Sequence, residues 1–129
     1  MKTLLAAAAA TNVQAAPNPA KLIKRQPLPA PFHQMDAAFV EVTVPPGPGS
    51  PSHRHSGFVL GYVLEGEFRF GTSEQPERVL KAGDVFYEPP GAVHTVSASA
   101  HPDRPARILA IIIGDQGKTL TTYDKGEKR

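Results

Sequence analysis

The chain contains no cysteine and no tryptophan, and only nine of its 129 residues are aromatic, six Phe and three Tyr. Without cysteine there is no disulfide framework, no thiolate metal site and no cysteine nucleophile. So few aromatics, with no Trp, leave no basis for a base-stacking platform. Long apolar runs are missing too: Leu4–Ala10 is far too short to span a bilayer. No stretch after Gln26 repeats apolar residues at helical spacing over three turns, so long amphipathic helices are not expected. Turn formers are plentiful instead, with 14 Pro and 11 Gly, which favours short strands joined by tight turns. At 40% hydrophobic and 20% charged, the chain suffices for one domain with a core.

The formal charge of +2 gives way once the N-terminus is considered. Lys2, the apolar run Leu4–Ala10 and the small residues Val13 and Ala15 make a secretory signal, residues 1–15, cleaved after about Ala15. Residues 16–25 then read as a propeptide or linker ending in the dibasic pair Lys24-Arg25. Cleavage after Arg25 removes four of the fourteen basic residues (Lys2, Lys21, Lys24, Arg25) and no acidic one. Ten basic residues then face twelve acidic ones, a net charge of −2. An exported, mildly acidic domain has no electrostatic reason to bind nucleic acid or an anionic membrane.

A proline-rich lead-in (residues 26–37) precedes the body of the domain, residues 38–113, and a polar tail, residues 114–129, expected to fray. The body reads as strands. Ala38–Val44 alternates Val40, Val42 and Val44 against Glu41 and Thr43, the mark of a half-buried strand. Val59–Leu64 and Glu67–Phe70 flank Glu65-Gly66 as a hairpin. Arg78–Leu80, Val85–Glu88, Val93–Ser97 and Arg107–Ile113 complete the set. Many short strands with regular turns predict an all-β fold, a single antiparallel barrel or double-sheet jelly roll.

Five histidines carry the candidate chemistry. His53 and His55 stand two apart at a strand start, so both rings leave one face, with Cα atoms about 7 Å apart. Arg54 between them faces the other way. His94 belongs to a later strand that a barrel can bring opposite the pair, making His53, His55 and His94 the candidate metal ligands. His33, in the lead-in, and His101, in a loop, are expected to be structural or exposed.

Two segments resemble the paired motifs of the cupin superfamily. Gly47, five residues and His53-Arg54-His55 match the first; Gly83, five residues, Pro89-Pro90-Gly91, two residues and His94 match the second without a gap. The resemblance implies a cupin barrel around a metal, but it departs in two places. The first motif's glutamate falls at Val59 or Leu60, both apolar, and the asparagine after the second is Ala98. Three neutral imidazoles favour an ion that accepts nitrogen (Fe, Mn, Ni, Zn or Cu) over Mg²⁺ or Ca²⁺. Cupins with three histidines alone, similar to the cysteine and β-diketone dioxygenases, hold Fe(II) and take substrate on the metal.

Glu88 is the candidate substitute carboxylate, as a fourth ligand, a partner behind the ligands or a general base; the alternative is a solvated rim residue. Tyr62 and Tyr87 are candidate catalytic or pocket-lining hydroxyls, with a plain structural role as the alternative. Glu65 and Glu67 are expected to be surface charges. Three functions stay open: a dioxygenase-type oxidoreductase on a small oxygen-rich or aromatic substrate, a metal Lewis-acid isomerase, lyase or cyclase, and a non-catalytic ligand-binding or storage barrel. The partner expected is a small molecule. Ile108–Ile113, apolar on both faces, further suggests a homodimer.

Overall fold

The computed structural model describes residues 16–124, so the signal sequence expected over residues 1–15 and the last five residues of the tail lie outside the described residues. The described residues contain no helix and ten strands: β1 (Ala20–Pro27), β2 (Met35–Val44), β3 (His53–His55), β4 (Phe58–Glu65), β5 (Glu67–Thr72), β6 (Gln75–Lys81), β7 (Val85–Glu88), β8 (His94–Ser99), β9 (Ala106–Asp115) and β10 (Thr121–Tyr123). They form two five-stranded sheets, ordered β1-β2-β9-β4-β7 and β10-β3-β8-β5-β6, with every pair antiparallel. The sheets face each other without closing on themselves, the double-sheet form of the expected jelly roll.

Alternation builds the core. In β9, Ile108, Ala110 and Ile112 are buried while Leu109, Ile111 and Ile113 are half-buried on the outer face. Phe68, Phe70, Val44, Val59 and Val63 are completely enclosed. Phe68, Phe70 and Phe86 meet with ring centroids 4.8–6.2 Å apart, and each such side chain contributes about 1.5–3 kcal/mol through burial. Two glycines are required by geometry. Gly66, at φ +83°, turns the β4–β5 hairpin, and at Gly61 a Cβ would stand 2.1 Å from the Phe86 ring.

Two expectations are corrected, and the segment read as a propeptide or linker acquires a structure: it includes most of β1, which pairs along β2 from Ala20↔Val42 to Pro27↔Asp36. Leu22-Ile23 followed by Lys24-Arg25 does not alternate, and prolines flank the stretch, so no strand pattern stands out there. The tail read as frayed from Gly114 carries the end of β9 and all of β10, whose Thr121, Thr122 and Tyr123 are β-prone and pair with His55, Arg54 and His53. The strands read as Glu67–Phe70 and Arg78–Leu80 are longer, because β5 runs to Thr72 and β6 spans Gln75–Lys81.

Candidate metal centre

The three histidines converge. His53 and His94 are direct partners across the β3–β8 pair, so both rings leave the same face of the sheet at the same level. His55 follows two residues on in β3. One ligating atom from each ring lies within 4.8 Å of the others, and the ring centroids are 4.7 Å (His53–His94), 4.9 Å (His53–His55) and 6.5 Å (His55–His94) apart. Arg54 between the pair is exposed, as the alternation requires.

Two rings are already oriented for coordination. His53 Nδ1 donates to the Pro51 carbonyl at 2.9 Å, and His55 Nδ1 to the Leu120 carbonyl at 3.3 Å. In that tautomer each Nε2 carries its lone pair into the site, the arrangement by which protein carbonyls orient metal-binding imidazoles. His94 is wedged edge-on against Phe70 at 5.1 Å, and neither of its ring nitrogens has a hydrogen-bond partner.

Glu88 enters from the opposite sheet. It ends β7 directly across from Val59 in β4, and it is buried. Its Oε2 is 3.1 Å from His94 Nδ1, and its Oε1, which has no hydrogen-bond partner, is 3.5 Å from His55 Nε2. A buried carboxylate from the neighbouring strand thus stands beside the histidines, where the first motif's own glutamate is missing. A solvated rim position for Glu88 is overturned.

Burial shapes the electrostatics. Desolvation, reinforced by the neighbouring His94, lowers the His53 pKa to about 4. Desolvation also lowers that of His55, although Glu88 pulls the other way. For Glu88, burial is the largest influence and raises its pKa, but His94, His55 and His53 together outweigh it, so the net direction is down. Burial thus favours the neutral form of His53 and His55, while the neighbouring rings favour the ionised form of Glu88, a carboxylate with little water around it. A buried charge of that kind needs a counter-charge. A divalent cation fits on two counts: the donors are imidazole and carboxylate, and the orphaned atoms, Glu88 Oε1 and both His94 nitrogens, belong to those donors.

The cavity at this site measures about 60 Å³. Phe86, Glu88, Val40, Val42, Ile108, Ala110 and Ile112 line it from one sheet; His53, His55, His94 and Ser97 line it from the other. The outermost strands β1 and β10 add Ala20, Thr121 and Tyr123. Sequence reasoning missed Asn18, Ser97 and Tyr123. Asn18 donates Nδ2 to the Ser97 hydroxyl at 3.2 Å and carbonyl at 3.3 Å. The half-buried Tyr123 ring lies 5.2 Å from that of His53, and desolvation raises its hydroxyl pKa. The β-prone Thr-Thr-Tyr run was the one available signal for Tyr123; Asn18 had none.

Tyr62 and Tyr87 do not line the cavity. Both point outward, 43% and 46% exposed, because their strand neighbours Gly61, Val63, Phe86 and Glu88 point inward. Adjacent residues of one strand take opposite faces, so Tyr87 and Glu88 never shared a pocket. His33 is exposed, and His101 accepts the Asp103 and Arg104 amides at 3.0 and 3.1 Å, pinning its own loop. Glu65 pairs with Arg107 on the surface.

Comparison with known proteins follows the same outline. An oxalate-binding protein of Thermotoga maritima is 32% identical over 85 residues, which cover 64% of this chain and 66% of that protein. The crystal structure of the DMSP lyase DddQ from Ruegeria pomeroyi is similar with a TM-score of 0.61 and 27% identity, over 72% of this chain but 45% of the lyase. A double-stranded β-helix protein of Klebsiella pneumoniae aligns over 87% of this chain and 88% of its own at a TM-score of 0.64, with 18% identity, a likeness of fold alone. This chain thus spans just under two thirds of the first of these relatives and under half of the second. The family model described as the Cupin domain matches residues 40–112, from the middle of β2 to the inward-facing Ile112 of β9, and the chain belongs to the cupin family.

Proposed function

We propose that this cupin holds a divalent transition-metal ion on His53, His55 and His94, with Glu88 as the carboxylate donor, and uses it to bind a small oxygen-rich anion such as a short dicarboxylate. The observation that carries this reading is the convergence of two buried imidazoles, a third that is partly buried and one buried carboxylate, with orphaned donor atoms, on a cavity of about 60 Å³. The bound ion supplies positive charge and open positions for oxygen donors. The protein's own groups do the selecting. Apolar Val40, Val42, Ile108 and Ile112 exclude bulk and water, and Glu88 disfavours any second anion not held by the cation. The oxalate-binding relative supports the ligand class.

The dioxygenase reading drew on a likeness to cupins with three histidines alone; a buried Glu88 beside the rings departs from that likeness, and on this ground we rank binding ahead of oxidation. A second reading, lyase chemistry, is favoured by the 27% identity to a DMSP lyase. In it the Glu88 carboxylate accepts the substrate proton at the cavity wall. The test is metal analysis of untagged protein, followed by calorimetric titration of oxalate into metal-loaded and metal-stripped samples. One ion per chain and oxalate binding only when loaded is the expected result. Absence of metal affinity would overturn the reading, and oxygen consumption on substrate addition would restore the oxidoreductase.

Two further parts of the reading concern the whole chain. Export is supported by the Lys2-led apolar run and the small residues before Ala16, and N-terminal sequencing of secreted protein checks it. Self-association is supported by the outer face of the first sheet. There the rows Leu109–Tyr62–Val85 and Ile111–Leu60–Tyr87 run across three strands, with Leu60 44% and Val85 68% exposed. A second copy of the chain would cover this apolar face.

A further inference from the structure

Little besides a backbone ladder holds β1 to the protein. All eight of its side chains are exposed, and one ion pair, Arg25–Asp36 at 3.7 Å, ties it down. Just ahead of it, however, Asn18 is buried, hydrogen-bonded to Ser97 and part of the cavity wall, with Ala20 beside it at the rim. The segment thus inserts one polar side chain into the cavity and leaves the rest of itself outside. A cavity of about 60 Å³ admits an ion and a few water-sized donors, so a larger ligand has to displace something, and this edge segment is a wall whose one buried side chain is that of Asn18.

The same segment carries the Lys24-Arg25 pair. Next to it the ladder is bulged: the register passes from Leu22↔Val40 to Lys24↔Phe39, leaving Ile23 without a partner. The other edge of β1 is unpaired among the described residues, an arrangement in which an extended segment is captured by strand addition.

We propose that residues 16–25 form a stopper over the cavity, and that the Arg25–Gln26 bond is where an endoprotease of dibasic specificity releases it. In the cut, water adds across the peptide bond: its oxygen joins the Arg25 carbonyl carbon as a carboxylate, and the Gln26 nitrogen leaves as an amine. While the chain is intact, the stopper is delivered at an effective concentration on the order of millimolar. Once cut, it keeps only an edge ladder, the Arg25–Asp36 ion pair and one buried side chain, and dilution removes it. The inference rests on the cavity of the proposed function but requires no bound metal.

The experiment uses metal-stripped full-length protein, before and after digestion with a kexin-type protease. Diethyl pyrocarbonate labelling of each histidine is followed by peptide mass spectrometry, with exposed His33 as the internal standard. The expected result is cleavage after Arg25 and labelling of His55 and His53 at least about tenfold faster in the cut chain, with His33 unchanged. Asn18→Ala in the uncut chain keeps β1 in place and is expected to speed His55 labelling about threefold, a readout that stands even if the cut domain unfolds. Resistance of the folded chain to cutting at Arg25, or equal labelling before and after the cut and in the Asn18 variant, overturns the proposal. Because no metal enters the assay, a failure here is separable from a failure of the metal site.

Discussion

Val59 and Glu88 are cross-strand partners in the β4–β7 ladder, and both are buried. The first cupin motif expects its carboxylate at Val59 or Leu60, so this protein presents a carboxylate at the same level of the sheet from the strand next door. Directly opposed residues have Cβ atoms about 5 Å apart, within the reach of a glutamate side chain. Exchanging them is therefore informative. Glu88→Val is expected to weaken Co²⁺ or Mn²⁺ binding at least about tenfold, and Val59→Glu added to it to recover part of that loss, as read by calorimetry. A Glu88→Val variant with unchanged affinity would show that the carboxylate is not a donor.

His94→Ala should abolish stoichiometric metal while leaving the sheets folded: it removes a buried ring that packs on Phe68 and Phe70, but the apolar cluster of Phe68, Phe70 and Phe86 stays whole. Circular dichroism and metal content read the two effects separately. Metal retained one-to-one would mean a different ligand set.

Acid is expected to destabilise the metal-free protein. His53 titrates near 4 when folded and near 6.5 when unfolded, so between these values the unfolded chain binds more protons. Stability is full above about pH 6.5 and declines as pH falls toward 4, by roughly 3 kcal/mol in all. Glu88, whose pKa is depressed, adds a loss of the same sign as pH falls below its ordinary range. Urea denaturation with chelator present at pH 7.5 and pH 5 checks this; a flat profile would contradict a buried, neutral His53.

The outward tyrosines separate binding from assembly. Tyr62→Phe and Tyr87→Phe should change ligand affinity by less than about twofold, because neither ring reaches the cavity. Val85→Lys, directly across from Tyr62, should turn a dimer into a monomer in light scattering. A wild-type monomer at micromolar concentration would remove the second copy from the reading.

Gly61→Ala tests the packing behind the site. Its new methyl would meet the Phe86 ring at 2.1 Å, and Phe86 lines the cavity, so a cost of about 1–3 kcal/mol and weakened ligand binding are expected together. A thermal melt alongside the calorimetry distinguishes this from an innocuous change.

The sequence made the strands of the body and the three histidines legible because both depend on short-range regularity. Period-two alternation announces β2, a continuous apolar run rich in isoleucine announces β9, and two spaced motifs announce the ligands. What it concealed depends on partners far along the chain. β1 is a solvent-facing strand with no buried face, so it carries no hydrophobic alternation. β10 has three residues and exists through its pairing with β3. The inward aim of Glu88 followed from the alternation that buries Phe86, and the same rule already turned Tyr87 away. Asn18 reaches Ser97, 79 positions away, and nothing local marks that contact.

The direct pairing of His53 with His94 makes the site a proofreader of strand alignment. With side chains alternating every residue, a slip of one position between β3 and β8 would turn one imidazole outward and leave a single ring from that pair facing Glu88. Metal captured during folding would therefore favour chains whose two sheets had met in the correct alignment, and a short three-residue strand with little cohesion of its own would owe its placement to the ion it helps to bind.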